Sequence, residues 1–215
     1  MLLRTALFAP LMALSVIGGA HAVVILSATL TNSQEVPPTT PTTSTGAPRP
    51  ASFGTASFVL NDAMTAMTFD ATVFNIDFTG LQTPDQNDDL TRAHIHAPAP
   101  PGTTASVGWG FIGTPFNETT PNDLVISPFS TGVGGTVSGK WDAPEGNGTT
   151  LTAQLPNILA GLSYINFHTV QFGNGEIRGQ ITPVPEPSTL ALLGLGMAGL
   201  AGAGWVRSRR SKEAG

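Results

Sequence analysis

Thr55-Ala56-Ser57-Phe58-Val59-Leu60, the pair Asn61-Asp62, and the run from Met64 to Ile76 decide how this chain folds. Both runs are rich in Thr, Val and Phe, and a turn-forming pair lies between them, which reads as a β-hairpin. In the second run Met67, Phe69, Ala71 and Val73 occupy alternate positions. Alternate side chains of a strand share a face, so these four make the apolar side of a half-buried strand.

The pattern extends in both directions. Val23–Leu30, Ala93–Ala97, Val107–Ile112, Leu124–Ile126, Gly135–Trp141, Leu151–Leu155, Tyr164–Thr169 and Glu176–Ile181 are expected strands, separated by Gly, Pro and Asn. Thr39–Pro50, dense in Pro and Thr, is an expected loop, and Asn157–Leu162 an expected helical turn. No stretch between the two ends carries a sustained 3.6-residue apolar period, and no internal repeat is evident. The predicted class is all-β, an antiparallel sandwich.

The two ends follow other rules. Met1-Leu2-Leu3-Arg4 is a short basic start, Ala6–Gly19 is mostly apolar, and Ala20-His21-Ala22 has the small-x-small form that signal peptidase cleaves. Cleavage after Ala22 would start the mature chain at Val23 and remove His21. At the other end Val184-Pro185-Glu186-Pro187 precedes an uncharged apolar run, Ser188–Val206, followed by Arg207, Arg209, Arg210 and Lys212. Nineteen helical residues span about 28 Å, enough to cross a bilayer's hydrocarbon core. Trp205 falls at the interface, and the basic cluster is expected to stay cytoplasmic, leaving the preceding domain outside. A Pro-Glu-Pro, one expected membrane helix and a terminal Arg cluster together resemble the PEP-CTERM sorting tail of Gram-negative bacteria. That resemblance implies an exosortase-type membrane protease as partner, transient membrane anchorage, and a destination in the cell envelope or extracellular matrix.

Between the ends, Val23–Pro183 is 161 residues, a suitable size for one domain. It carries four basic residues (Arg49, Arg92, Lys140, Arg178) against twelve acidic ones, a net charge of −8. Such a domain has no electrostatic footprint for nucleic acid. The chain has no cysteine, which excludes disulfides, thiolate catalysis and cysteine-based zinc sites.

Three segments of this domain resemble the CHRD family, named for the animal protein chordin. They are Ala28-Thr29-Leu30-Thr31-Asn32-Ser33-Gln34-Glu35-Val36-Pro37-Pro38, Ala93-His94-Ile95-His96-Ala97-Pro98-Ala99, and Tyr164-Ile165-Asn166-Phe167-His168-Thr169 followed by Gly175-Glu176-Ile177-Arg178-Gly179-Gln180-Ile181. Ala97 stands where the family usually has glycine. The resemblance implies an immunoglobulin-like or superoxide-dismutase-like β-sandwich and no agreed catalytic activity.

His94 and His96 are the strongest chemical candidates. Two apart on a strand, they project to one side about 6.5–7 Å from each other, with Ile95 directed to the core. His168, on another expected strand with Tyr164 and Asn166 on its own face, supplies a third nitrogen. Three neutral imidazoles with an open position suit zinc or copper. A His-x-His strand in a sandwich also resembles copper–zinc superoxide dismutase, although only three histidines survive processing, and an acidic surface repels superoxide. The alternative is structural: imidazoles hydrogen-bonded to backbone and to Asp88, Asp89 or Glu176.

Glu176, Arg178 and Gln180 are spaced to share a strand face. Arg178 is either a contact for an anionic ligand or a bridge to the loop carrying Gln34 and Glu35, a task suited to its bidentate fork. Asp85-Gln86-Asn87-Asp88-Asp89 begins like a calcium loop, but Leu90 stands at its sixth position and His96 at its twelfth, so an EF-hand fails and only a looser calcium site is left. Gly108-Trp109-Gly110-Phe111-Ile112-Gly113 fits a dinucleotide fingerprint formally, but Thr114-Pro115 follows where a helix is required. No serine sits in a nucleophile elbow. The sequence therefore leads to an exported, non-enzymatic binding or structural module of the envelope or an exopolysaccharide matrix. A zinc- or copper-binding protein is the alternative.

Overall fold

The computed structural model describes residues 23–116, 118, 121–185 and 195–197. Its strands are β1 (Val24–Thr31), β2 (Phe53–Leu60), β3 (Ala66–Phe74), β4 (Leu90–His96), β5 (Val107–Ile112), β6 (Val125–Pro128), β7 (Gly134–Asp142), β8 (Ser163–Thr169) and β9 (Ile177–Pro183). One helix, α1 (Leu151–Leu159), precedes β8. The signal-peptide residues Ala20 and Ala22, and Glu186 and Pro187 of the sorting motif, lie outside the described residues. So does the expected membrane helix over 188–206, apart from residues 195–197. Among the described residues no helix is long and apolar enough to cross a membrane.

The hairpin predicted from Thr55 to Ile76 forms. β2 and β3 pair from Phe53↔Phe74 to Leu60↔Met67. Asn61 closes the turn, its Oδ1 accepting from the amides of Thr65 at 2.8 Å and Ala66 at 3.2 Å. Met67, Phe69, Ala71 and Val73 are all buried. Exposed on the other side is a hydroxyl-rich face, where Thr29, Thr55, Thr72 and Thr136 align across four strands.

All nine strands join one antiparallel sheet in the order β5-β4-β8-β9-β1-β2-β3-β7-β6. The sheet curls until β5 lies across the core from β3 and β7. Phe69 meets Phe111 with ring centroids 4.8 Å apart, and Trp109 stacks on Trp141 at 5.5 Å with an interplanar angle of 4°. The two layers of the sandwich are thus the two halves of one continuous sheet.

Leu151–Leu155, expected as a strand, is the first half of α1. Leu151, Leu155 and Ile158 lie at i, i+4 and i+7, and all three pack on the core. The Thr150 hydroxyl caps the helix by accepting from the Ala153 amide at 3.2 Å. The period was present, but it spanned only nine residues and was interrupted by Pro156.

The β4–β8–β9 part of the sheet departs from simple alternation. Every residue of β8 is buried, as are His94 and His96 on β4 and Arg178 on β9. Ile95, Ile165, Phe167, Ile177 and Ile181 face the core. The opposite face of these strands lies under loops instead of water. Gln34 and Thr103 reach Arg178, Ala99 reaches Gln180, and Ala105 and Gly173 reach the histidines.

The layering predicts unequal costs along β3. Phe69→Ala, which empties the contact with Phe58, Trp109 and Phe111, is expected to lower the unfolding free energy by about 3–5 kcal/mol. Thr68→Ala, on the exposed face, is expected to cost under about 0.5 kcal/mol. Urea unfolding followed by tryptophan fluorescence measures both, and equal losses would contradict the assignment of faces.

Candidate metal centre

Strand register brings the three histidines together. β4 and β8 pair as Arg92↔His168, His94↔Asn166 and His96↔Tyr164, so His168 sits diagonally across from His94 on the face turned away from the core. The ring centroids of His94 and His168 are 4.8 Å apart, and those of His94 and His96 5.7 Å. One ring nitrogen from each histidine can be chosen so that all three lie within 4.8 Å of one another.

Their hydrogen bonds orient them. His96 Nδ1 lies 2.9 Å from the Ala105 carbonyl and His168 Nδ1 lies 3.0 Å from that of Gly173. A carbonyl only accepts, so each Nδ1 carries the proton and each Nε2 keeps its lone pair. Both Nε2 atoms are buried without a partner, and so are both ring nitrogens of His94. Nδ1 tied to a backbone carbonyl with Nε2 free is the arrangement in which a hydrogen bond orients a metal-ligating imidazole. The carboxylates of Asp88, Asp89 and Glu176 make no hydrogen bond to these rings among the described residues.

The environment keeps the rings neutral. Burial, reinforced by His168 and His96, pushes His94 down to about 3. Burial also lowers His168 to about 4 against the opposing bond to Gly173, and it lowers His96. Tyr164 stacks on His96 with centroids 4.7 Å apart, and the Phe116 ring meets His94 edge-on at 6.0 Å. Phe116 can approach because residue 110 is glycine: a Cβ there would collide with the Phe116 carbonyl.

Beside the histidines lies a buried charged network. Arg178 donates from Nε to the Gln34 carbonyl and from Nη1 to that of Thr103 at 2.8 Å, and its guanidinium lies 4.6 Å from the Tyr164 ring centroid. Gln180 also engages Gln34, its amide donating to Oε1 at 3.2 Å. Glu176 has different partners. Its fully buried carboxylate accepts from Arg49, Ser52 and Thr169. Glu35 accepts from Asn166 at 2.9 Å, and burial raises it to about 7 although Arg178 opposes the shift. Gly175, at φ +122, lets the chain pass here, since a Cβ would sit 2.7 Å from Glu35 Oε1.

Arg49, Ser52 and Phe116 were not anticipated from sequence. Arg49 lies 127 positions from Glu176 in a Pro/Thr-rich loop, and no spacing rule links them. In the acidic loop, Asp85 caps a short 3₁₀ helix by accepting from the Asn87 amide and binds Ser44, while Asp88 accepts from Thr83. Asp85 and Asp88 are thereby engaged by the protein, whereas Asp89 Oδ1 is buried without a partner. Val184, at the start of the sorting motif, donates its amide to the Ile25 carbonyl at 2.9 Å and so continues β9 alongside β1.

The comparisons agree with this architecture. Residues 183–210 match the PEP-CTERM protein-sorting motif, which marks a chain for export and for membrane processing by an exosortase. No curated protein and no solved structure matches the chain. The CHRD domain matches residues 26–181, from the third residue of β1 almost to the end of β9, and both histidine strands fall within it. With that match covering most of its length, the chain belongs to the CHRD domain family.

Proposed function

We propose that this protein is an exported metal-binding module whose His94, His96 and His168 hold one zinc or copper ion in the cell envelope or its surrounding matrix. One observation carries the reading: in a buried setting where polar atoms ordinarily find partners, three imidazoles converge with unpartnered nitrogens. Leaving such atoms unsatisfied costs about 1–3 kcal/mol each, a penalty that ligation would remove. Zinc and copper both accept imidazole nitrogen.

Both matched domain types are non-catalytic, which favours a binding role over an enzymatic one. A superoxide-dismutase-like activity would need anion access to the ion, and burial of the triad behind Phe116 and Tyr164 weighs against it. The binding module expected from the sequence thus gains a ligand. Glycans and envelope proteins stand as partners of its location, and Glu176 and Arg178 serve as the struts that hold the loops over the site.

Elemental analysis tests this on the full chain, produced without an affinity His-tag, loaded in mild detergent and dialysed. One equivalent of zinc or copper is expected, with loss of at least tenfold in retained metal for His94→Ala and for His168→Ala. Metal retained unchanged by both substitutions, or none retained by the parent, would refute the assignment.

A second expectation concerns pH and the metal-free protein. His94 and His168 titrate near 3 and 4 in the fold but near 6.5 when unfolded. Below 6.5 the unfolded chain binds protons that the folded one refuses, so the histidine contribution is complete above 6.5 and falls toward 4. Glu35 and Glu118, both raised to about 7 mainly by burial, act in the opposite sense as pH falls from 7 to 4.5. The test is therefore a difference. Between pH 6 and 5, His168→Gln is expected to reduce the slope of stability against pH by about 1.2 kcal/mol per pH unit. Parallel profiles in urea titrations would contradict it.

A further inference from the structure

We infer that the histidine triad selects Cu(I) over Zn(II). This rests on the metal-binding reading and adds the identity and oxidation state of the ion. The argument is one of charge, coordination number and surroundings.

The donor set is neutral. Among the described residues the converging group consists of His94, His96 and His168 with no carboxylate, and the chain has no cysteine. A dication placed there would keep its full charge in a site whose ligands are 2 %, 8 % and 6 % exposed. Ion desolvation grows with the square of the charge, so a dication costs about four times as much as a monocation of the same size. The surroundings add positive charge of their own. Arg92 donates to the Gly173 carbonyl at 2.6 Å, the same oxygen that holds His168, and Arg178 lies over the ring of Tyr164, which stacks on His96. Arg178 is itself paired with Glu35 at 3.9 Å, which leaves Arg92 as the guanidinium beside the ligands that opposes a second unit of charge on the ion.

Coordination number points the same way. Zinc takes four ligands, the fourth being water where the protein supplies three. Here apolar and aromatic groups pack on the rings: Phe116 meets His94 edge-on, Tyr164 stacks on His96, and the Gly173 turn holds His168, so no side chain among the described residues stands ready as a fourth donor. A d¹⁰ monovalent copper ion is content with three nitrogens in a trigonal plane and needs no fourth ligand. The backbone bonds at Nδ1 of His96 and His168 fix two of the three donors before any ion arrives. A site that holds copper in its reduced state in this way suits storage or transfer of the ion.

The test is a competition on the full chain in mild detergent. Cu(I) is supplied anaerobically with ascorbate against bicinchoninate, and Zn(II) against a chromophoric chelator, followed by X-ray absorption of the copper-loaded protein. Cu(I) is expected to bind at least a hundredfold more tightly than Zn(II), with an edge and shell typical of three nitrogen donors. Zinc binding as tightly as Cu(I), or sulfur in the copper shell from methionine, would overturn this inference while zinc retention on the histidines left the metal-binding reading standing. Binding of neither ion would remove both. Because His94→Ala risks the fold, Phe116→Glu, at a partly exposed position beside His94, provides a second measurement. An added carboxylate is expected to narrow the copper preference at least tenfold, and a preference that widened would count against the charge argument.

Discussion

β8, with the second half of β4 and the first half of β9 beside it, is buried on both faces, and the rest of the structure answers to that constraint. A sheet with one face in water can leave its outer polar groups solvated, as β1, β2 and β3 do with their threonines and serines. Once loops close over the outer face, each polar group there needs a partner within the protein. Arg178, Gln180, Asn166 and Glu35 bond to the loops that bury them, although Arg178 Nη2 and Asn166 Oδ1 keep no partner. The same bonds hold those loops in place. Among the buried side-chain atoms left without a partner, four are nitrogens of the three histidines, and these converge.

The loops are held by charge as much as by packing. Glu176 is fully buried, and Arg49, Ser52 and Thr169 surround its carboxylate. A buried ion pair adds little net stability over an apolar replacement, but loss of one partner strands the other. Such a pair therefore specifies one arrangement of the Arg49 loop relative to β8 and β9. Glycine sets how near the loops come. At Gly110 and Gly175 the backbone or side chains of a neighbour occupy the space a Cβ would need. These contacts place the Phe116 segment against His94 and the Glu35 turn against Asn166.

Export and the site are compatible chemically. The acidic domain attracts cations over long range, while the histidine cluster itself is neutral with Arg92 and Arg178 nearby, so for the proposed ion attraction to the surface and selection at the site would be separate steps. β9 supplies Arg178 to the loop-covered face and runs, through the Val184–Ile25 bond, directly into the sorting motif. The functional end of the chain and its address are one continuous strand apart.

Local patterns in the sequence were enough for the hairpin around Asn61, the alternation along β3, the pairing of His94 with His96 on one side of β4, and the terminal sorting signal. Each depends on residues within a few positions of one another, where strand geometry alone dictates direction. α1 was missed because nine residues interrupted by Pro156 show too little of a helical period to outweigh the strand-rich context. Only the tertiary structure decided that the outer face of β4 and β8 is buried under loops, that Glu176 answers to Arg49 while Arg178 answers to Gln34, and that Phe116 meets His94. Those facts depend on strand register and on loops folding back across more than a hundred residues. The sequence names the residues there but holds no spacing that reports the distances between them.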